Sequence, residues 1–225
     1  MPNNEERIVS FLLAFVDFLY AVLFGFVLQQ LHEKVLIAEG MSYYDKATRV
    51  LLVIGVFYFL MGDWISARLL TARNVYTGYR RFFLEVIIAF SGFGAAIEVL
   101  RAHPFFLGYI ILVLVVGAYW AHCTIVEYPK SSDLLELNAI RVVQPITAIA
   151  GGISSYLWYK YVGELFSLRG AGMLFLLGWL YEFFYELSAP SLYGLAGGPT
   201  VPFVSKERMI AMRQFLGIKE REERS

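Results

Sequence analysis

Residues 105–126 carry no charged side chain at all. A helix needs roughly 20 mostly apolar residues to cross about 30 Å of hydrocarbon, so such a stretch identifies the solvent before it identifies the fold. Five more stretches repeat the pattern with polar interruptions. Residues 8–31 contain Asp17; 50–70 contain Asp63 and Arg68; 82–100 contain Glu85 and Glu98; 139–162 contain Arg141, Gln144 and Pro145; 170–187 contain Glu182 and Glu186. Lipid offers no partner for a backbone N–H or C=O, so a spanning segment must satisfy its own, and the short alternating strands of a barrel are missing. The expectation is an all-α, polytopic transmembrane bundle of six spans over residues 1–188.

Composition agrees with that reading. The chain is 58% hydrophobic and 17% charged, against roughly 45–50% and about 25% in soluble domains. Nineteen basic and nineteen acidic residues cancel, so no global field recruits nucleic acid or anionic lipid. Cys123 stands alone, which excludes an intramolecular disulfide and any multi-cysteine metal site. Met1 to Arg7 lacks the positive leader of a signal peptide, so the first apolar segment reads as a retained helix.

Basic residues set the orientation. Arg73, Arg80 and Arg81 cluster in the second connection, and Lys206, Arg208, Arg213, Lys219, Arg221 and Arg224 fill the tail. Both are inside if the N-terminus is cytoplasmic and the number of spans is even. Residues 189–205, with Pro190, Pro199 and Pro202 among several glycines, are expected to be irregular at the inner interface. Residues 206–225 read as a short charged cytoplasmic helix. Asp133 and Glu136 have the spacing of a capping box, which starts the fifth helix below the membrane.

Ionisable groups inside a membrane are costly and point to function or to a named partner. In this orientation Asp63, Glu85, His122, Gln144 and Glu182 fall in the inner half, and Asp17 falls near the middle of the first span. Five of these six share a helical face with small residues: Asp17 with Ala21 and Gly25, Glu85 with Ala89 and Gly92, His122 with Ala118, Gln144 with Ala148 and Gly152, Glu182 with Gly178. Small residues let helix backbones approach in lipid, so these faces are expected to point into the protein.

Two readings of the pattern stay open. The acids pair with Arg68, Arg81 and Arg141 and fix helix register, with Arg81 and Glu85 one turn apart. Alternatively Asp17, Asp63, Glu85 and Glu182, supported by His122 and Gln144, line a path for a cation or proton open to the cytoplasm. The first makes the chain a non-catalytic membrane subunit, the second a channel or transporter. No nucleophile–base pair, phosphate loop or metal set is legible, so a membrane enzyme ranks below both, and no cofactor or metal is implied. The expected surroundings are the lipid bilayer of the cell membrane, with a second copy of the chain or a partner subunit as associates.

Phe15-Val16-Asp17, in a first helix preceded by Arg7, is similar to the Phe-Ser-Asp signature of the six-helix potassium channels of endolysosomes and prokaryotes. Val16 stands where that signature has serine, and Arg7 lies about one helical turn further upstream than in that pattern. The resemblance implies a six-span unit whose first helix contributes to a pore.

Overall fold

A computed structural model describes residues 4–188 and 206–216. These residues form seven α-helices: α1 (Asn4–Leu31), α2 (Tyr43–Arg73), α3 (Tyr79–Leu100), α4 (Phe106–Glu127), α5 (Leu134–Tyr161), α6 (Leu168–Ser188) and the short α7 (Lys206–Phe215). A π-helical turn, His32–Leu36, extends α1. No strand occurs among the described residues. Helices α1 to α4 are each long and apolar enough to cross a membrane. With 28 and 21 residues, α5 and α6 also have the length of a span, although they are not among those four. The irregular segment expected over 189–205 lies outside the described residues, as does the part of the tail beyond 216.

Local chemistry explains several boundaries. Ser42 caps α2, its Oγ accepting from the Asp45 backbone N–H at 3.1 Å and donating to the Asp45 carboxylate at 2.7 Å, which satisfies one of the orphan donors of a helix start. Helix α5 does begin ahead of its apolar run, at Leu134, but not through the expected capping box. Asp133 makes no side-chain cap; Arg73 and Asn74 take up its carboxylate at 2.9 and 3.0 Å, so the residue ties the α2–α3 connection to the start of α5.

Helix α3 is the hub, packing against α1, α2 and α4, while α4 packs on α5 and α5 on α6. Helix α6 returns to contact α2, so α2 to α6 close a ring with α1 laid outside on α3. The α2–α3 contact is close because Gly92 has no side chain: a Cβ there would collide with the Leu60 side chain. Val53, Leu60, Ala95, Val99 and Val113 form the core on one side of the bundle, and Leu70, Trp120, Ala121, Leu137 and Tyr185 form it at the other end.

The small-residue stripes predict the inward face of α3 and α5, where Glu85, Ala89, Gly92, Ala96, Gln144, Ala148 and Ser155 are buried or nearly so. They fail on α1 and α4. Ala21 and Gly25 are exposed, and α1 buries Val16, Tyr20 and Val27 instead. On α4 the inward face is centred on Val113, Leu114, Gly117, Trp120, Ala121 and Thr124, with Ala118 buried at its edge. His122 is therefore exposed, its ring stacked on Tyr119, and it does not support the interior. Small residues occur on both sides of α4, so their presence alone does not select the packed side.

Candidate functional site

The polar interior begins on α2 and α3. Asp63 and Arg68 lie on the second half of α2, and Glu85 lies on the first half of α3, buried with its side chain 3% exposed. Arg68 bridges two helices: its Nε is 2.6 Å from Asp17 Oδ1 on α1, and its Nη2 is 3.2 Å from Glu85 Oε2. Trp64 Nε1 donates to the same Asp17 oxygen at 3.0 Å. Glu85 Oε1 accepts from Tyr76 Oη at 2.5 Å and from Trp120 Nε1 at 3.1 Å. Tyr76 lies in the α2–α3 connection; burial first, then the Glu85 carboxylate, pushes its phenol well above the usual range, so it remains a donor.

Beyond Glu85 is a small cavity of about 20 Å³ lined by Asp63, Glu85, Tyr20, Trp120, Gly117 and other side chains. On the measure of space for water-sized spheres, that is room for about one water. Asp63 faces it from α2 and is hydrogen-bonded to Gln144 of α5. The Gln144 amide in turn donates to Tyr181 Oη of α6 at 3.4 Å. It reaches this place because α4 has glycine opposite: a Cβ on Gly117 would lie 2.5 Å from Gln144 Oε1. Polar groups thus run across the bundle from Asp17 through Arg68, Glu85 and the cavity to Asp63, Gln144 and Tyr181.

A second polar cluster sits at the α2–α3 connection. Arg81, wholly buried, places Nε 2.8 Å from Glu127 Oε2 at the end of α4. It donates from Nη2 to the Val75 carbonyl at 2.5 Å, which also accepts from Tyr128 Oη at 2.7 Å. The guanidinium lies against the rings of Tyr76, Trp120 and Tyr128, with centroids 5.1 to 5.9 Å away. The expected Arg81–Glu85 pair is therefore replaced by Arg81–Glu127 and Arg68–Glu85. Although one turn apart, Arg81 and Glu85 are claimed by different neighbours, the connection and α4 for one, α2 for the other.

No protein-family model, curated protein or solved structure matches this chain. The site is read from its own geometry. Asp17, Asp63, Glu85, Gln144 and Arg68 come together, and Arg81 sits one step away. Arg141 is exposed on α5 and pairs with none of the described acids, at the edge of the buried stripe that runs through Leu137, Ile140, Gln144 and Ala148. Glu182 is half-buried and belongs to a different, larger cavity. Asp17, the acid that sequence leaves without a neighbouring base, has one: Arg68, from a helix 51 positions later. Its side chain is still 45% exposed, and Val16 beside it is buried, so Phe15-Val16-Asp17 packs and pairs against α2 and α3. Among the described residues no group of three or more His, Cys, Asp or Glu is placed to hold a metal.

Sequence reading passed over Tyr76, Trp64, Trp120 and Glu127. The two tryptophans carried a usable signal, since an indole N–H deep in a membrane helix needs an acceptor and the nearby acids are the acceptors available.

Proposed function

We propose that this chain is a six-span protein of the cell membrane, with both termini cytoplasmic, that carries protons through a carboxylate site in the cytoplasmic half of its bundle. The charge count around the small cavity supports this reading. Two carboxylates, Glu85 and Asp63, line it, a third, Asp17, is joined to Glu85 through Arg68, and Arg68 is the one guanidinium in ion-pair contact with the three among the described residues. Charges inside a membrane need compensation. A cavity of about 20 Å³ has no room for a hydrated metal cation, whereas a proton needs only a carboxylate oxygen and one water.

Asp63 is the residue assigned to hold the proton. Its partner is the neutral amide of Gln144, whereas Asp17 and Glu85 are held by Arg68. Gln144 and Tyr181 extend the hydrogen-bonded line toward the interior of the α2–α6 ring, and Tyr20 and Trp120 close the cavity walls.

The test is proton flux into liposomes containing the purified protein and a pH-sensitive dye, under an imposed pH gradient and membrane potential. The parent is expected to dissipate the gradient and Asp63→Asn to lose that activity while keeping its fold. A parent with no flux overturns the reading, and an Asp63→Asn variant with parental flux removes Asp63 as the site. The topology is checked separately in a Cys123→Ala background. Ser131→Cys, between α4 and α5, should label from the cytoplasmic side, and Gly163→Cys, between α5 and α6, from the outside.

A further inference from the structure

A larger cavity lies apart from the carboxylate site. It measures about 800 Å³ and opens between α2, α4, α5 and α6, within the roughly 300–1,000 Å³ of sites that take small molecules. The sequence of α5 creates it. The residues that α5 turns to the cavity are Thr147, Ala148, Gly151, Gly152 and Ser155, so over about two turns no side chain there is larger than threonine. A Cβ on Gly151, or on Gly178 of α6, would meet nothing within 4 Å. The other walls are bulky, with Phe59 from α2, Phe106 and Ile110 from α4, and Trp179 from α6. The exposed lining residues, Ile54, Tyr58, Phe175, Leu176 and Gly178, all belong to α2 or α6. The opening is therefore lateral, between those two helices, where a bundle in a bilayer meets lipid.

One hydroxyl in the α5 wall is chemically incomplete. Ser155 is 2% exposed, yet its Oγ makes no hydrogen bond among the described residues. A helical serine or threonine can bond back to the carbonyl one turn earlier, as Thr48, Ser91 and Thr124 do here at 2.7 to 3.0 Å. Thr71 lacks a partner too, but it lines neither cavity. A buried hydroxyl left unpaired is costly, so a ligand oxygen that pairs with Ser155 is stabilising.

We infer that this cavity binds a rigid fused-ring lipid of the sterol type, its single hydroxyl or carbonyl oxygen paired with Ser155. Shape selects the body. From residue 147 to residue 155 the α5 wall rises about 12 Å, and an apolar cavity of roughly 150 Å³ already holds one benzene ring. The space is broad for its height. A single acyl chain crossing it would leave much of the width unfilled, and side chains beside unfilled space forfeit their contacts. A flat ring system lies against the smooth α5 strip and fills that width. Polarity selects the oxygen, since Ser155 can donate to a carbonyl or hydroxyl and accept from a hydroxyl.

The test uses the full-length protein in lipid nanodiscs, photolabelled with a diazirine-bearing cholesterol analogue. The competitors are cholesterol, cholestane, which has the rings without the oxygen, and hexadecanol, which has the hydroxyl on a single chain. Labelling of peptides from α2, α5 and α6 is expected to saturate. Cholesterol should displace the label about two- to tenfold more strongly than cholestane, the effect of one hydrogen bond. It should outcompete hexadecanol by at least about tenfold. Ser155→Ala should keep its fold and lose the preference for cholesterol over cholestane. Gly151→Leu, which fills the space beside the α5 strip, should abolish displaceable labelling. Equal displacement by hexadecanol shows a crevice for acyl chains and overturns the assignment. So do labelling that fails to saturate, a parent that does not prefer cholesterol to cholestane, or a folded Ser155→Ala variant with the parental preference. The competitor comparison on the parent needs no variant to fold. None of these readouts involves proton flux, so the outcome is separate from that of the Asp63 experiment.

Discussion

Arg81 and Asp63 occupy the same end of the bundle on adjacent helices, yet they meet opposite electrostatic conditions. Around Arg81 the charges balance: one guanidinium, one carboxylate from Glu127, a backbone carbonyl and three aromatic faces. The result is a staple that fixes the α2–α3 connection to the end of α4. Around Asp63 the charges do not balance, the neighbour is an amide, and a small cavity separates the acid from Glu85. A balanced buried pair gains nothing by exchanging a proton, because either partner left alone in a dry interior is strongly unfavourable. An acid held by a neutral partner beside a cavity is free to do so. The same residue types therefore serve architecture in one place and are poised for chemistry in the other.

The sharpest way to break this contrast is to remove Arg81. Arg81→Leu strands Glu127 and releases the Val75 carbonyl, and the loss of stability is expected to be about 3–5 kcal/mol. Thermal unfolding in detergent, followed by intrinsic fluorescence, reads it. The double variant Arg81→Leu, Glu127→Leu should recover much of that loss, because it leaves no buried charge behind. If the single variant melts like the parent, the staple is not a structural element and the comparison fails on that side.

Glu85 belongs to both regions and is expected to give an intermediate result. In Glu85→Gln, Tyr76 and Trp120 keep an acceptor and Arg68 keeps Asp17, so the cost is about 1.5–3 kcal/mol, that of hydrogen bonds to a charged group. Flux should fall as well, because the second wall of the cavity loses its carboxylate. Asp63→Asn is expected to change stability by less than about 1 kcal/mol, in the range of substitutions that leave no orphaned buried charge, while flux is lost. A large destabilisation in Asp63→Asn would assign that acid to architecture instead.

Much of this arrangement was legible in sequence for a physical reason. Lipid imposes its requirement on every spanning residue, so long apolar runs identify helices without knowledge of their partners, and helix periodicity puts Glu85 with Ala89 and Gly92, and Gln144 with Ala148, on packed faces. The partners themselves were not legible. Arg68 meets Asp17 because α1 and α2 dock in one register through α3, and no spacing within either helix encodes that register. The same holds for Arg81, whose neighbour in sequence is Glu85 but whose neighbour in space is Glu127. His122 shows the limit of the small-residue rule: Ala118, one turn before it, is buried together with Gly117 and Ala121, yet His122 is exposed. The apolar cavity was invisible because it is formed by side chains that fail to meet, and a sequence shows only side chains that are present.

Gly117 gives the finest test of whether the line from Asp63 to Tyr181 matters. The Gln144 amide sits against Gly117, where an added Cβ would contact its oxygen. That oxygen is at the end of a flexible side chain, so Gly117→Ala should displace the amide at small cost, and the gain of about 1 kcal/mol from replacing glycine inside a helix offsets it. Melting is thus expected to stay close to parental. If Gln144 aligns Asp63, flux should nevertheless drop severalfold, and Gly117→Ser should behave the same way because the steric change is similar. If flux is unchanged in both, Gln144 is a bystander and Asp63 exchanges its proton through the cavity alone, with Glu85 on the facing wall.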